Sequence, residues 1–198
     1  DQGPLAVSLD SFDRYQREQA WTWEHMALTR GRALYGSPQA RAELDRVVDG
    51  VLRAPRDAAK LRSDVLEMRE RMAASKPPKG PLDAKLARGG LVDLEFLVHY
   101  LQLRHGTGIT PFLGEAVREL ASAGLLPEGM IAAHDTLTRL LVAARLLAPD
   151  AAVPPPAAQA VLATACGCGK WEEVPANLVA ARRQVAAVWQ QVLGEQLE

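Results

Sequence analysis

Apolar residues recur every three or four positions along most of this 198-residue chain, the period of helices that bury one face. From SLDSFDRYQ onward, Phe12, Tyr15, Gln19, Trp23, Met26 and Arg30 fall on one row, while Ala20, Trp21, Leu28 and Leu34 fall on others. The pattern predicts one long first helix, opened by Ser8, Asp10 or Ser11 as N-cap and closed at Gly36, with Trp21 and Trp23 as buried anchors. Ser37-Pro38, a cap followed by proline, starts a second helix that runs through Leu44, Val47, Val48, Val51 and Leu52. A third follows Pro55, with Leu61, Val65, Met68 and Met72 on one face and Glu67/Arg71 as an exposed i,i+4 pair. The prolines and glycine of SKPPKGPLD break the pattern at 75–83. Further helices are expected at 90–105, 113–123, 127–147, 156–165 and 174–197. No segment reads as a strand. The fold class expected is all-α: a multi-helix bundle forming one domain over 1–198, with a lead-in at 1–7, motif-bearing helices at 8–110 and C-terminal helices at 111–198.

The stretch AKLARGGLVDLEFLVHYLQLRH, Ala84 to His105, is the most informative. At about 100° per residue, Leu91, Leu94, Leu97, Val98 and Leu101 share an arc of roughly 120°, and Phe96, Tyr100 and Leu103 form a second apolar arc. Only Glu95, His99 and Gln102 make a narrow polar seam, with Asp93 about 200° away from Glu95. A helix apolar around most of its circumference belongs at the centre of the bundle, so its seam must be paired internally or face a cleft. Two readings stay open. In one, Asp93 complements the helix dipole and Glu95 pairs with His99 at i,i+4. In the other, Gly89 and Gly90 admit close backbone approach, and Lys85 and Arg88 offer positive charge to an anion such as phosphate.

Composition removes several classes of function. The chain is 48% hydrophobic and only 5% aromatic, which favours helix over sheet. With 23 basic and 24 acidic residues it has no basic stripe for nucleic acid. No apolar run is long enough for a membrane span, and no signal peptide opens the chain. A start at Asp-Gln-Gly-Pro without methionine suggests a piece of a longer protein, and two cysteines in 198 residues point to the cytoplasm. Cys166 and Cys168 in CGCG build no disulfide framework and have no further metal ligands nearby, so they read as a helix end punctuated by glycine. Gly36-Ser37 followed by Asp45 and Asp49 imitates a nucleotidyltransferase metal signature. Four-residue spacing on a helix, in alternation with arginine, does not project two carboxylates from one strand face.

Two segments resemble the glutamine synthetase adenylyltransferase family. SLDSFDRYQREQAWTWEHMALTRGR (8–32) is similar to its E-R-Y-Q-R-E-x-A-W-T-W-E-H helix, and LDAKLARGGLVDLEFLVHYLQLRH (82–105) to its glycine-rich G-G-I-V-D-I-E-F stretch. Gly3-Pro4-Leu5 is similar to the family's exit from the catalytic core, Met68-Arg69 adds to the match, and AAVWQQVLG resembles the carboxyl end of these enzymes, in their C-terminal, adenylyl-transferring half. Departures are His99, where glutamine is usual, and the less basic Leu86-Ala87. The resemblance implies the helical domain of an enzyme that adenylylates and deadenylylates glutamine synthetase with ATP and Mg²⁺, under control of a PII signal protein and glutamine. It implies that Lys85, Arg88, Asp93, Glu95, Glu24 and Arg30 face the catalytic core, nucleotide or substrate across a cleft, with His25 and His99 structural. Since the metal-binding aspartates belong to the core, it implies no catalytic or metal-ligating residue in this chain. Alternatives are a non-enzymatic helical interaction module and the helical domain of a PII uridylyltransferase.

Overall fold

Twelve of the fifteen residues of one helix, Leu91–His105, are buried, and the other elements are arranged around it. The computed structural model describes residues 6–197; Gly3-Pro4-Leu5 of the expected lead-in lies outside them. Among the described residues there are nine α-helices and no strand. They are α1 (Leu9–Glu18), α2 (Thr22–Leu28), α3 (Pro38–Leu52), α4 (Ala58–Ser75), α5 (Leu91–His105), α6 (Leu113–Ser122), α7 (Gly129–Leu147), α8 (Pro156–Ala165) and α9 (Glu173–Leu193), with a 3₁₀ turn at Pro149–Ala151. The fold is all-α, as the periodicity implied.

Caps explain several boundaries. Ser8, Ser37 and Asp57 each accept a backbone N–H three residues on, opening α1, α3 and α4. Gly106 and Gly194 adopt left-handed backbone to end α5 and α9, so the last helix stops at Leu193 and not at 197. α5 packs against α2, α4, α6, α7 and α9, and α7 and α9 form the most extensive helix pair. One contiguous apolar core runs from Met26 and Leu52 through Leu94, Leu97, Leu137 and Leu178 to Trp189 and Leu193.

The expected long first helix is two helices. The chain leaves helical geometry at Gln19 and resumes after Trp21, whose N–H donates to the Glu24 carboxylate at 2.8 Å. The same carboxylate accepts the Tyr15 hydroxyl at 2.7 Å, which ties the end of α1 to the start of α2. The break turns Trp21 and Trp23 outward, 69% and 53% exposed, so they are not the buried anchors expected. His25, Met26 and Thr29 carry the inward face instead.

Leu97, wholly buried at the middle of α5, tests the central placement. Leu97→Ala should lower unfolding free energy by about 2–5 kcal/mol, measured by chemical denaturation with helical circular dichroism as readout.

Candidate functional site

The entrance to α5 is built from backbone as much as from side chains. Asp83, nearly buried, accepts the N–H groups of Lys79, Lys85 and Leu86 at 2.8–3.0 Å and folds the 79–86 loop around itself. Carbonyls of Ala87, Ala84 and Lys85 then take the N–H groups of Gly90, Leu91 and Val92. These first amides of α5 are therefore spent within the loop and are not offered to an anion. The two glycines answer to the same crowding. A Cβ on Gly90 would lie 2.7–2.9 Å from those three carbonyl oxygens. A Cβ on Gly89, at φ +77°, would lie 2.2 Å from the Arg182 carbonyl of α9. Close backbone approach is real, but it serves α9, whose Arg182 Nε also donates to the Arg88 carbonyl at 2.8 Å.

Asp93 is fully buried and forms an ion pair with Arg69 of α4, itself only 2% exposed. Its second oxygen accepts the Gly89 N–H at 2.6 Å. Asp93 faces no cleft of this domain; its burial among α4, α5 and the loop corrects that expectation. The sequence marked Arg69 only through the Met68-Arg69 match; its position one turn beyond Leu61 and Val65 on the buried face is the signal that could have found its role.

The seam of α5 is closed by the end of α2. Thr29 Oγ1 donates to the Met26 carbonyl at 2.7 Å, and the Gln102 amide nitrogen donates to the Gly108 carbonyl at 2.6 Å. Both neighbours of His99 Nδ1 thus present lone pairs, Thr29 Oγ1 at 2.9 Å and Gln102 Oε1 at 3.0 Å, so the network assigns the proton to Nδ1. Burial lowers the His99 pKa to about 4; the Gln102 hydrogen bond opposes this and the nearby Arg30 charge adds to it. Glu95 pairs with Arg30 at 3.3 Å at the solvent edge, not with His99. His25 is also lowered by burial. Its Nε2–H donates to the Gln16 carbonyl and its Nδ1 accepts from Arg56, each at 2.8 Å.

Of the six residues singled out, then, Asp93 is interior and Glu24 caps α2. Arg30 and Glu95 pair with each other on the surface, and Arg88 pairs with Glu70 at 2.9 Å. Lys85 is exposed, makes no ion pair with a described residue, and lines a cleft of about 360 Å³ with Lys79, Arg145 and Leu141. The structure joins Arg30 to Glu95 and separates them from Asp93.

An all-helical body with a glycine-crowded, self-capped central helix defines the class. Residues 59–193, about two thirds of the chain, match the family model described as GlnD PII-uridylyltransferase. Residues 1–47 match the model described as glutamate-ammonia ligase adenylyltransferase. Proteins named bifunctional glutamine synthetase adenylyltransferase/adenylyl-removing enzyme align with nearly all of the chain. The one from Brucella suis is 36% identical over 98% of this chain and 21% of its own length. Those from Caulobacter vibrioides and Xanthobacter autotrophicus are 36% and 37% identical over 96% of this chain and 20% of theirs. The chain belongs to the glutamine synthetase adenylyltransferase family. It spans about a fifth of the length of these relatives.

A nucleotidyltransferase family uses a nucleotide and a metal, and the donor set here does not fit the metal. Among the described residues no three His, Cys, Asp or Glu side chains converge. Asp93, Glu95 and Asp49 are each held by an arginine, and Glu24 is held by Tyr15 and a backbone amide. No step of a reaction is assigned to a metal on these residues.

Two outcomes test this geometry. Arg69→Leu, which leaves Asp93 buried without its partner, should cost about 3–5 kcal/mol, whereas Arg69→Met combined with Asp93→Leu should recover most of that stability in urea unfolding. Unfolded His99 takes up a proton near pH 6.5 and folded His99 only near 4, so between them the unfolded chain binds more protons. Stability should fall by about 3 kcal/mol as pH drops from 6.5 to 4, with His25 adding in the same direction, and His99→Gln should flatten most of the slope.

Proposed function

We propose that residues 1–198 form one helical domain of a bifunctional, cytoplasmic enzyme that attaches AMP to glutamine synthetase and removes it, and that the domain supports a nucleotidyltransferase active site lying outside these residues. The observation that carries this reading is the breadth of the similarity. Both the α1–α2 stretch with AWTWEH and the α5 entrance fall within single alignments that cover 96–98% of the chain, to proteins bearing that name. The helical body alone would suit a PII uridylyltransferase equally well; the match of residues 1–47 to the adenylyltransferase model favours the first reading. In the parent enzyme, ATP with Mg²⁺ supplies the AMP, and a PII signal protein and glutamine set the balance of the two activities.

Charges in this domain divide into two kinds. Asp93 and Glu24 organise the scaffold, while Lys85, Arg88 and the Arg30–Glu95 pair remain at the surface, where they meet the catalytic core or its substrate. A few partly solvated cations, each worth about 1 kcal/mol, fall short of the roughly 4 kcal/mol that even millimolar affinity needs. The 198-residue chain should accordingly bind MgATP no tighter than millimolar, and a micromolar dissociation constant by calorimetry would overturn this division. In the parent enzyme, Lys85→Ala should lower AMP transfer to glutamine synthetase about tenfold, or about 1.4 kcal/mol, with the melting temperature unchanged. Loss of transfer only in step with loss of stability would return Lys85 to a scaffold role.

A further inference from the structure

The large apolar side chains exposed to water are enriched in the N-terminal part of the sequence. Among the described residues, half of the large exposed hydrophobics lie in the first 35 positions: Val7, Tyr15, Trp21, Trp23, Leu34 and Tyr35, the last 98% exposed. Between α1, the end of α2 and α3 runs an open groove of about 580 Å³, walled by Leu9, Phe12, Leu28, Leu44 and Val48, with Tyr35 at its lip. Only Leu28 and Val48 of these reach the contiguous core. Along the fifteen residues of α3 only Val51 and Leu52 are buried, in contrast to α5. Charges of both signs, Arg32, Arg41, Glu43 and Asp45, border the groove. An apolar floor with a mixed polar rim is the make-up of a protein interface and not of a surface made only to meet water.

We infer that this groove is the seat of the parent enzyme's nucleotidyltransferase domain, which docks on the apolar face of α1–α3. The inference rests on the function proposed above and names the surface through which the helical domain serves it. Two observations select this occupant. Apart from Val48 at its edge, the groove lies within residues 1–47, the part matched by the adenylyltransferase model, while α4–α9, with their closed core, match the other. About four fifths of each aligned relative lies outside this chain, ample for a domain of that size. The groove is also continuous with the charged edge of α5. Gly31 and Arg32 line it, and the preceding residue, Arg30, holds Glu95. A domain seated there touches Arg30 and Glu95 as well, so apolar floor and charged rim make one contact.

Hydrogen exchange read by mass spectrometry tests this by comparing the 198-residue chain with the parent enzyme. Amides of α1 and α3 should exchange at least tenfold more slowly in the parent, while those of α9 remain unchanged. Leu34→Asp with Tyr35→Asp, at positions already in water in this chain, should return α1 and α3 of the parent toward the rates of the short chain. Equal rates in both proteins would overturn the inference. So would sedimentation showing that the 198-residue chain dimerises with concentration-dependent protection of the same helices, since a second copy would then be the occupant. Assaying AMP transfer in the same parent preparation separates the two claims. Protection without transfer shows the groove covered but overturns the proposed function and, with it, the nucleotidyltransferase domain as occupant, whereas transfer without protection upholds the function and overturns the docking face alone.

Discussion

Asp93 sits where no water reaches, and a carboxylate there is tolerable only while Arg69 and the Gly89 amide hold both of its oxygens. Arg69 comes from α4, Asp93 from the first turn of α5, and Gly89 from the loop between them. Satisfying that one charge therefore sets three segments relative to one another. The pair gives little net stability, because desolvating both ions consumes most of their attraction. Its effect is on arrangement: a register in which the two miss each other leaves two charges stranded in the core. The left-handed turn at Gly89, which brings its N–H to the carboxylate, also opens the space into which the Arg182 carbonyl of α9 fits.

From that anchor the rest of α5 follows. Its two apolar arcs are covered by neighbouring helices, and its polar seam meets the end of α2, where Thr29 shares with Gln102 the Nδ1 proton of a neutral His99. The charges that look most like a ligand site in the motif are in large part consumed in building it. Loop carbonyls take the first amides of α5, Arg182 reaches the Arg88 carbonyl, and Arg30 and Arg88 are paired with Glu95 and Glu70. A scaffold that uses its charges internally can orient a neighbouring active site without binding the nucleotide itself, which agrees with the function proposed for this family member.

The two ends of the molecule differ in how completely they are closed. α4–α9 enclose large side chains such as Leu94, Met130, Leu162 and Trp189 with almost no exposure, while α1–α3 leave aromatic and aliphatic groups in water. The hydrogen bonds that the Trp21 N–H and the Tyr15 hydroxyl donate to Glu24 hold that open end in shape. Its exposed side chains therefore lie on a structured surface and not on a frayed terminus.

How much of this was legible in the residues depends on whether the information is local. Helical class, seven of the eight expected helices and the central position of α5 were determined by spacing, caps and breakers, because an apolar stripe, a Ser-Pro start and a glycine stop act within a few residues of themselves. The polar seam was visible for the same reason. What only the tertiary structure decided are the partners: Arg69 for Asp93 across 24 positions, and Thr29 for His99 across 70. The break at Gln19–Trp21 belongs with them, since α1 packs on α3 whereas α2 also packs on α4 and α5, and the tryptophans turn outward. Periodicity reports the angle of a side chain about its own helix axis. Whether that angle points at water, at an apolar wall or at an arginine is set by helices far away in the chain, and the distinction between a ligand-binding charge and a structural one lies there.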